Sequence, residues 1–272
     1  MYDLTLNRVT PSMLATFEKC PMSFFYSYYL GIKMPQQTMH FHFGTGIHEA
    51  IDIMFGQHKN WPDEKILETA KLKFHEFFTD TSVNEVGIDS VQKQREKYQD
   101  MRRDGLELLD AVWLKKEWLV AEGVLPKIFE QPMKFKPWHP ETKEELEVPL
   151  SLRIDGLNHE DRTIYEYKTS ASKYNPEETR VLPQTLAYVW AIWCDTGIVY
   201  DVVYLILLKN RKRERLQVLR YQYDLADIVE FDARVRAILE KIKLRDFNFT
   251  TPCKAYWCDC KKYKKALDVN HI

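Results

Sequence analysis

The segment RIDGLNHEDRTIYEYKT, residues 153–169, places Asp155 upstream of an acid and a lysine two residues apart, Glu166 and Lys168. In a strand, residues i and i+2 project from one face, so Glu166 and Lys168 point together while Tyr165 and Tyr167 point the other way. The preceding run VPLSLRIDGL has the alternation of a partner strand, and NHEDR supplies turn chemistry between the two. Such a hairpin brings Asp155 beside Glu166. A solvated strand face carrying a cross-strand ion pair is one reading of this pattern. The other is a site. One or two carboxylates, with water and a substrate phosphate, are enough to anchor Mg2+ or Mn2+. A lysine beside them can position an attacking water and stabilise charge developing on phosphorus-bound oxygen.

Other residues could join this chemistry or be structural. His48, in FGTGIHEAID, lies on an expected helix, where a lone histidine is either a packed core residue or a neutral imidazole ligand; its neighbour Glu49 reads as solvated. Gln184 and Tyr188, in QTLAYVWA, are four apart and share a helix face, whether to pack on a sheet or to line a pocket. Glu130, in KIFEQPMKF, is a strand-edge charge or a further acid near the site.

These residues need a scaffold, and the chain is long enough for one. With 272 residues and 45% hydrophobic content it can bury a sizeable core, and we expect one domain over residues 1–272. Thr10 and Pro11 open an expected helix that runs to Gly31. FGTGIHEAIDIMFGQ, PDEKILETAKLKFHEFF and the stretch from about Ser90 to Ala121 continue the helical pattern, making residues 1–121 mainly helical. Residues 122–245 then carry strands, the helix LPQTLAYVWAIWCDTG, the strands VYDVVYLILLKN and RLQVLRYQYD, and a closing helix LADIVEFDARVRAILEKIK. Residues 246–272 form a cysteine-containing tail. The expected fold class is α/β, a mixed sheet flanked by helices with an N-terminal helical lobe.

Composition narrows the partners. Lys and Arg number 39 against 40 Asp and Glu, so no general basic coat for a polyanion exists and any nucleic-acid contact must be local. The segment KNRKRER supplies Lys209, Arg211, Lys212, Arg213 and Arg215 as the local candidates, although solvated loops and helix faces carry such runs as well. The first residues, MYDLTLNRVTPSML, lack the pattern of a secretory leader, and VVYLILL is too short to span a bilayer, so a cytoplasmic protein is expected. Five cysteines do not suggest a disulfide framework there; Cys194, within an apolar helix, reads as core.

Taken together, Asp155, Glu166 and Lys168 resemble the acidic core of the PD-(D/E)XK nuclease superfamily. The flanking motifs are similar to its RecB-like exonuclease branch, including CRISPR-associated and phage exonucleases. SMLATFEKCPMSFFYSYYLGIK is similar to that branch's opening helix, HFGTGIHEAID to its glycine-turn and histidine motif, and QTLAYVWA to its Gln-x-x-x-Tyr helix; KTS follows the acidic pair. Ile154 stands where many members have proline. The resemblance implies a restriction-endonuclease-like core and a Mg2+- or Mn2+-dependent DNA nuclease, an exonuclease of recombination, repair or phage DNA metabolism. In it His48, Asp155 and Glu166 hold metal, Lys168 assists water attack, Gln184 and Tyr188 line the site, and Glu130 lies near it. It further implies a helicase or recombination partner and a nucleoid-associated place in a bacterial or phage-infected cell. A catalytically silent DNA-binding module of the same fold is the rival. Cys20 with Cys253, Cys258 and Cys260 resembles the [4Fe–4S] form of this branch in number, although C-x4-C-x-C departs from its usual spacing. A cluster, a zinc site and free thiols all stay open.

Overall fold

The computed structural model describes residues 6–32, 38–57, 60–79, 91–126, 128–209, 214–247, 258, 260, 261 and 263. Its first helix, α1 (Pro11–Lys19), starts as the sequence predicts: the Thr10 side chain accepts the Met13 amide at 3.2 Å and Pro11 needs no partner for a missing N–H. It does not run on to Gly31. Cys20 is extended, at φ −166° and ψ 106°, and Pro21 begins a short helix α2 (Pro21–Phe24) that continues as a π-helical turn over Phe25–Tyr29. The reason is local: the proline ring drives the preceding residue out of the helical region. The break leaves Cys20 at a corner between two helices.

Next come α3 (Thr38–Asp52), ending in a π-helical turn at Ile53–Gln57, then α4 (Asp63–Phe77), α5 (Val91–Leu114) and α6 (Lys116–Ala121). On α3, Met39, Phe43, Ile47, Ala50 and Ile51 recur at helical spacing and are fully buried. Gly46 allows close contact with α4, since a Cβ there would stand 3.0 Å from the Phe74 ring and 3.1 Å from its carbonyl oxygen.

Five strands form one sheet in the order β1-β2-β3-β4-β5: β1 (Ile128–Phe135), β2 (Leu150–Asn158), β3 (Thr163–Ser170), β4 (Asp201–Leu208) and β5 (Leu216–Tyr221). Neighbours are antiparallel except β3 and β4, whose parallel pairing requires the crossover made by α7 (Pro176–Arg180) and α8 (Pro183–Thr196). The last helix, α9 (Leu225–Lys243), starts at a reciprocal cap between Asp224 and Asp227. Sheet alternation separates two cores. Tyr165, Tyr167, Val203, Leu205 and Leu207 pack with α3, α4 and α5, whereas Ile164, Val202, Tyr204 and Ile206 pack with α1, α8 and α9. This mixed sheet with helices on both faces is the expected α/β architecture. Among the described residues, no helix is long and apolar enough to cross a membrane.

Candidate active site

The pairing of β2 with β3 is short. It runs from Asn158 opposite Thr163 to Gly156 opposite Tyr165 and then stops, while β2 continues along β1 as far as Leu150. At the parting point the Asp155 carboxylate accepts the backbone N–H of Tyr167 at 2.9 Å, filling with a side chain the place of a ladder hydrogen bond. The strands therefore open where the charged residues stand. Glu166 and Lys168 project from β3 toward α8, as their spacing predicts, and Asp155 lies at the fork between the strands.

The solvated reading of Glu166 is overturned, because the residue is 1% exposed. Its Oε1 contacts the Lys168 ammonium and accepts a hydrogen bond from Gln184 Nε2 at 2.8 Å. Gln184 Oε1 in turn accepts from Lys168 at 2.9 Å, and its amide nitrogen lies 2.6 Å from the Tyr188 hydroxyl, which donates to the Arg153 carbonyl at 2.6 Å. An amide offers an acceptor and donors on separate atoms, so Gln184 accepts from the lysine, donates to the carboxylate, and ties the pair to α8 and, through Tyr188, to β2. From the opposite side, α3 brings His48 Nδ1 to 3.6 Å from Asp155 Oδ1 and sets its ring edge-on to Tyr167. The structure thus gathers His48, Asp155, Glu166, Lys168, Gln184 and Tyr188 into one cluster.

Its electrostatics follow from burial. Desolvation, with the nearby Asp155 charge, pushes the Glu166 carboxyl up to about 7 despite the lysine beside it. Burial alone would lower Lys168, yet Glu166 and Asp155 outweigh it and hold the ammonium charged, above its ordinary range. His48 shows the same contest: burial lowers it, and the Asp155 and Glu166 carboxylates raise it overall. Burial would raise Asp155, but His48, Lys168 and the Tyr167 N–H bring it below the usual carboxylate range.

The donor set suits a hard or borderline divalent cation: two carboxylates and an imidazole. One atom speaks for it directly. Glu166 Oε2 is buried without a hydrogen-bond partner among the described residues, an arrangement that a bound cation would satisfy. His48, Asp155 and Glu166 do not bring one ligand atom each within 4.8 Å of one another, whichever carboxylate oxygen is taken. The residue types fit a divalent metal, and holding it with all three requires their side chains to close in from this geometry.

Other predicted residues are placed as follows. Glu130 stands on β1 between Phe129, paired with Gly156, and Gln131, paired with Ile154, hence at the level of Asp155; its side chain lies outside the described residues. Arg211, Lys212, Arg213 and Cys253 also lie outside them. Arg215 does not face solvent as expected of a DNA contact. It is 9% exposed and its guanidinium is bound by Asp104 and Glu107 of α5. Lys209 is half-buried over the Phe43 ring, and burial lowers its pKa. Other basic runs are locally neutralised: Lys71 by Asp110, Lys73 by Glu76 and Arg103 by Asp100. The sequence reading missed Asp52, one helical turn beyond His48, whose charge is felt by the buried Tyr167 hydroxyl; the i, i+4 spacing was the available signal.

Away from the fork, Cys20, Cys258 and Cys260 are buried with their sulfurs within 4.8 Å of one another, and no other group of three or more such ligand residues among the described residues is so close. Ser23 Oγ lies 3.4 Å from Cys258 Sγ, Ser27 donates to the Tyr263 hydroxyl at 2.8 Å, and Tyr26 stacks on Tyr263. Cys258, Cys260 and Tyr263 are thus packed on the α1–α2 corner and the helix that follows it.

The sequence profile of the PD-(D/E)XK nuclease superfamily matches residues 8–263, and the chain belongs to that superfamily. Among solved structures, a protein from Eubacterium rectale named "Putative exonuclease" is similar over 97% of this chain and 92% of its own, at 10% identity and a TM-score of 0.54. That likeness shows the fold. The structure of SSO0001 aligns over 91% of this chain and 93% of its own, at 9% identity and a TM-score of 0.30. No curated protein matches the sequence.

Proposed function

We propose that this chain is a divalent-metal-dependent deoxyribonuclease of the RecB-like type, an exonuclease acting in DNA recombination, repair or phage DNA metabolism. The observation that carries the reading is Glu166: a carboxylate that is 1% exposed, raised by burial and left with an orphan oxygen is unfavourable for folding, and membership of a nuclease superfamily gives it a purpose. Asp155, Glu166 and His48 hold the cation, Mg2+ or Mn2+. When bound, it supplies Lewis acidity at the scissile phosphate. Lys168, charged and fixed by Gln184, positions the attacking water and offsets the charge that builds on the phosphoryl oxygens. Tyr188 keeps Gln184 in register. Glu130 is a further acid at the same level, and Lys209 with Arg211, Lys212 and Arg213 follows the DNA backbone; Arg215 is left out, being tied inward. A helicase or recombination protein is the proposed partner.

Purified protein incubated with end-labelled single- and double-stranded DNA tests this. Cleavage in Mn2+ or Mg2+, abolished by chelation and shortening chains from an end, is expected. No cleavage with either ion, or cleavage that survives chelation, contradicts it.

We further propose that Cys20, Cys258 and Cys260, joined by Cys253, hold a [4Fe–4S] cluster. The buried, mutually close sulfurs fit a thiolate-rich site, which would fasten the tail to the α1–α2 corner. Anaerobically purified protein should be brown, absorbing near roughly 400 nm. Colourless protein without iron, as stable with Cys258→Ser as without it, contradicts the assignment.

A further inference from the structure

One stripe of α3 faces the fork. Residues 41, 44, 45 and 48 recur at i, i+3, i+4 and i+7, which is one side of a helix. His48 ends this stripe at Asp155. A helical turn earlier, Gly44 lies beside β3, where a Cβ would meet Thr169 Oγ1 at 3.7 Å, an ordinary contact distance, and Thr169 directly follows Lys168 in the chain. At the far end stands Phe41, 66% exposed. A single exposed apolar side chain is ordinary on a protein surface. This one differs by position: the buried face of α3 is already completed by Met39, Phe43, Ile47, Ala50 and Ile51, and Phe41 lies instead in line with the metal-site histidine.

Between them on this stripe lie Gly44, which has no side chain, and Thr45, with Thr169 beside Gly44. Seven helical residues span about 10 Å, or roughly three stacked base steps at about 3.4 Å each. The ring is further steadied by an edge contact with His42, at 5.7 Å between centroids. An exposed aromatic face at such a distance from a phosphate-cleaving centre has the chemistry of a stacking platform, which accepts any base because every base has a π-face.

Resting on the nuclease reading above, we propose that Phe41 is a binding subsite for an unpaired base of single-stranded DNA, two to three nucleotides from the scissile phosphate. In duplex DNA that base is stacked and paired, so the platform selects frayed or single-stranded ends.

The test uses full-length Lys168→Ala protein in Mn2+, which leaves the strand uncut, and a fluorescein-labelled dodecathymidylate. Adding Phe41→Ala should weaken binding about 5- to 150-fold, the span of one lost stacking contact. Phe41→Trp should restore it, and the salt slope should stay unchanged because no phosphate contact is lost. With an abasic dodecamer of the same charge, the proteins with and without Phe41→Ala should bind alike. Equal affinity of Phe41→Ala for the dodecathymidylate overturns the proposal. So does an equal loss on the abasic strand, which marks a structural role. Phe41→Leu, retaining apolar bulk without a ring face, carries the same comparison if the alanine variant does not fold. Failure of the wild type to cleave any DNA in Mn2+ overturns the nuclease reading itself, whereas cleavage with Phe41-independent binding overturns this inference alone.

Discussion

At the scale of single residues, the site is a contest between burial and charge. Lys168 is bound to Glu166 and Gln184, so its removal takes away the group beside the reacting phosphate while the residues that meet the rest of the strand remain. Lys168→Ala should lower kcat by about 1000-fold and leave DNA affinity within a few-fold; parallel loss of binding, measured by anisotropy, would count against a role in the chemical step. Glu166 makes a second prediction with a definite sign. Its folded pKa is raised by burial to about 7 from an ordinary 4.5, so the folded state holds the proton more tightly than the unfolded chain does. The metal-free protein should therefore lose stability as pH rises from about 4.5 through 7, and raised His48 acts in the same direction as it deprotonates. Mn2+ must displace the Glu166 proton and that of any His48 imidazolium, so its affinity should rise at least about tenfold per pH unit below 7 and level off once both groups are deprotonated. Calorimetry between pH 6 and 8 checks this; a flat profile would remove Glu166 from the ligands.

At the scale of elements, much of the site's framework is legible in local patterns. The i, i+2 spacing places Glu166 and Lys168 on one face, and the i, i+4 spacing aligns Gln184 with Tyr188; both hold in the structure. What pattern could not reveal is depth. Strand alternation distinguishes two faces but not which is covered, and only the crossover helix α8 decides that Glu166 is sealed from water. The opening helix was misjudged for a local reason, since apolar periodicity continues through Cys20 and Pro21 while the backbone does not. KNRKRER misled in part because charge alone carries no direction. Arg215 turns inward to two acids on α5, 108 residues and more away in sequence. Arg215→Ala should accordingly destabilise the fold by about 3 kcal/mol, the usual effect of stripping one partner from a buried ion cluster, read by urea unfolding. An unchanged midpoint with weakened DNA binding would return it to the DNA surface.

At the scale of the molecule, the sheet is a wall between two cores, and the site lies where that wall forks. The α3 side contributes His48, the α8 side contributes Gln184 and Tyr188, and the strands between them carry Asp155, Glu166 and Lys168. Neither core can shift without moving a member of the cluster, which is how a buried charge group is kept in one geometry. The sequence motifs are legible because each sits on one element; their convergence is tertiary and is not. The same holds for the tail, where Cys20 meets Cys258 and Cys260 across nearly the whole chain. If Glu166 stays buried and half-satisfied in order to hold a cation with Asp155 and His48, crystals soaked in Mn2+ and measured at a wavelength where manganese scatters anomalously will show it. A peak is expected at the fork, about 2.0–2.3 Å from an oxygen of Asp155 and from Glu166 Oε2. A peak elsewhere, or none at saturating Mn2+ with Glu166 Oε2 still unpartnered, would contradict it.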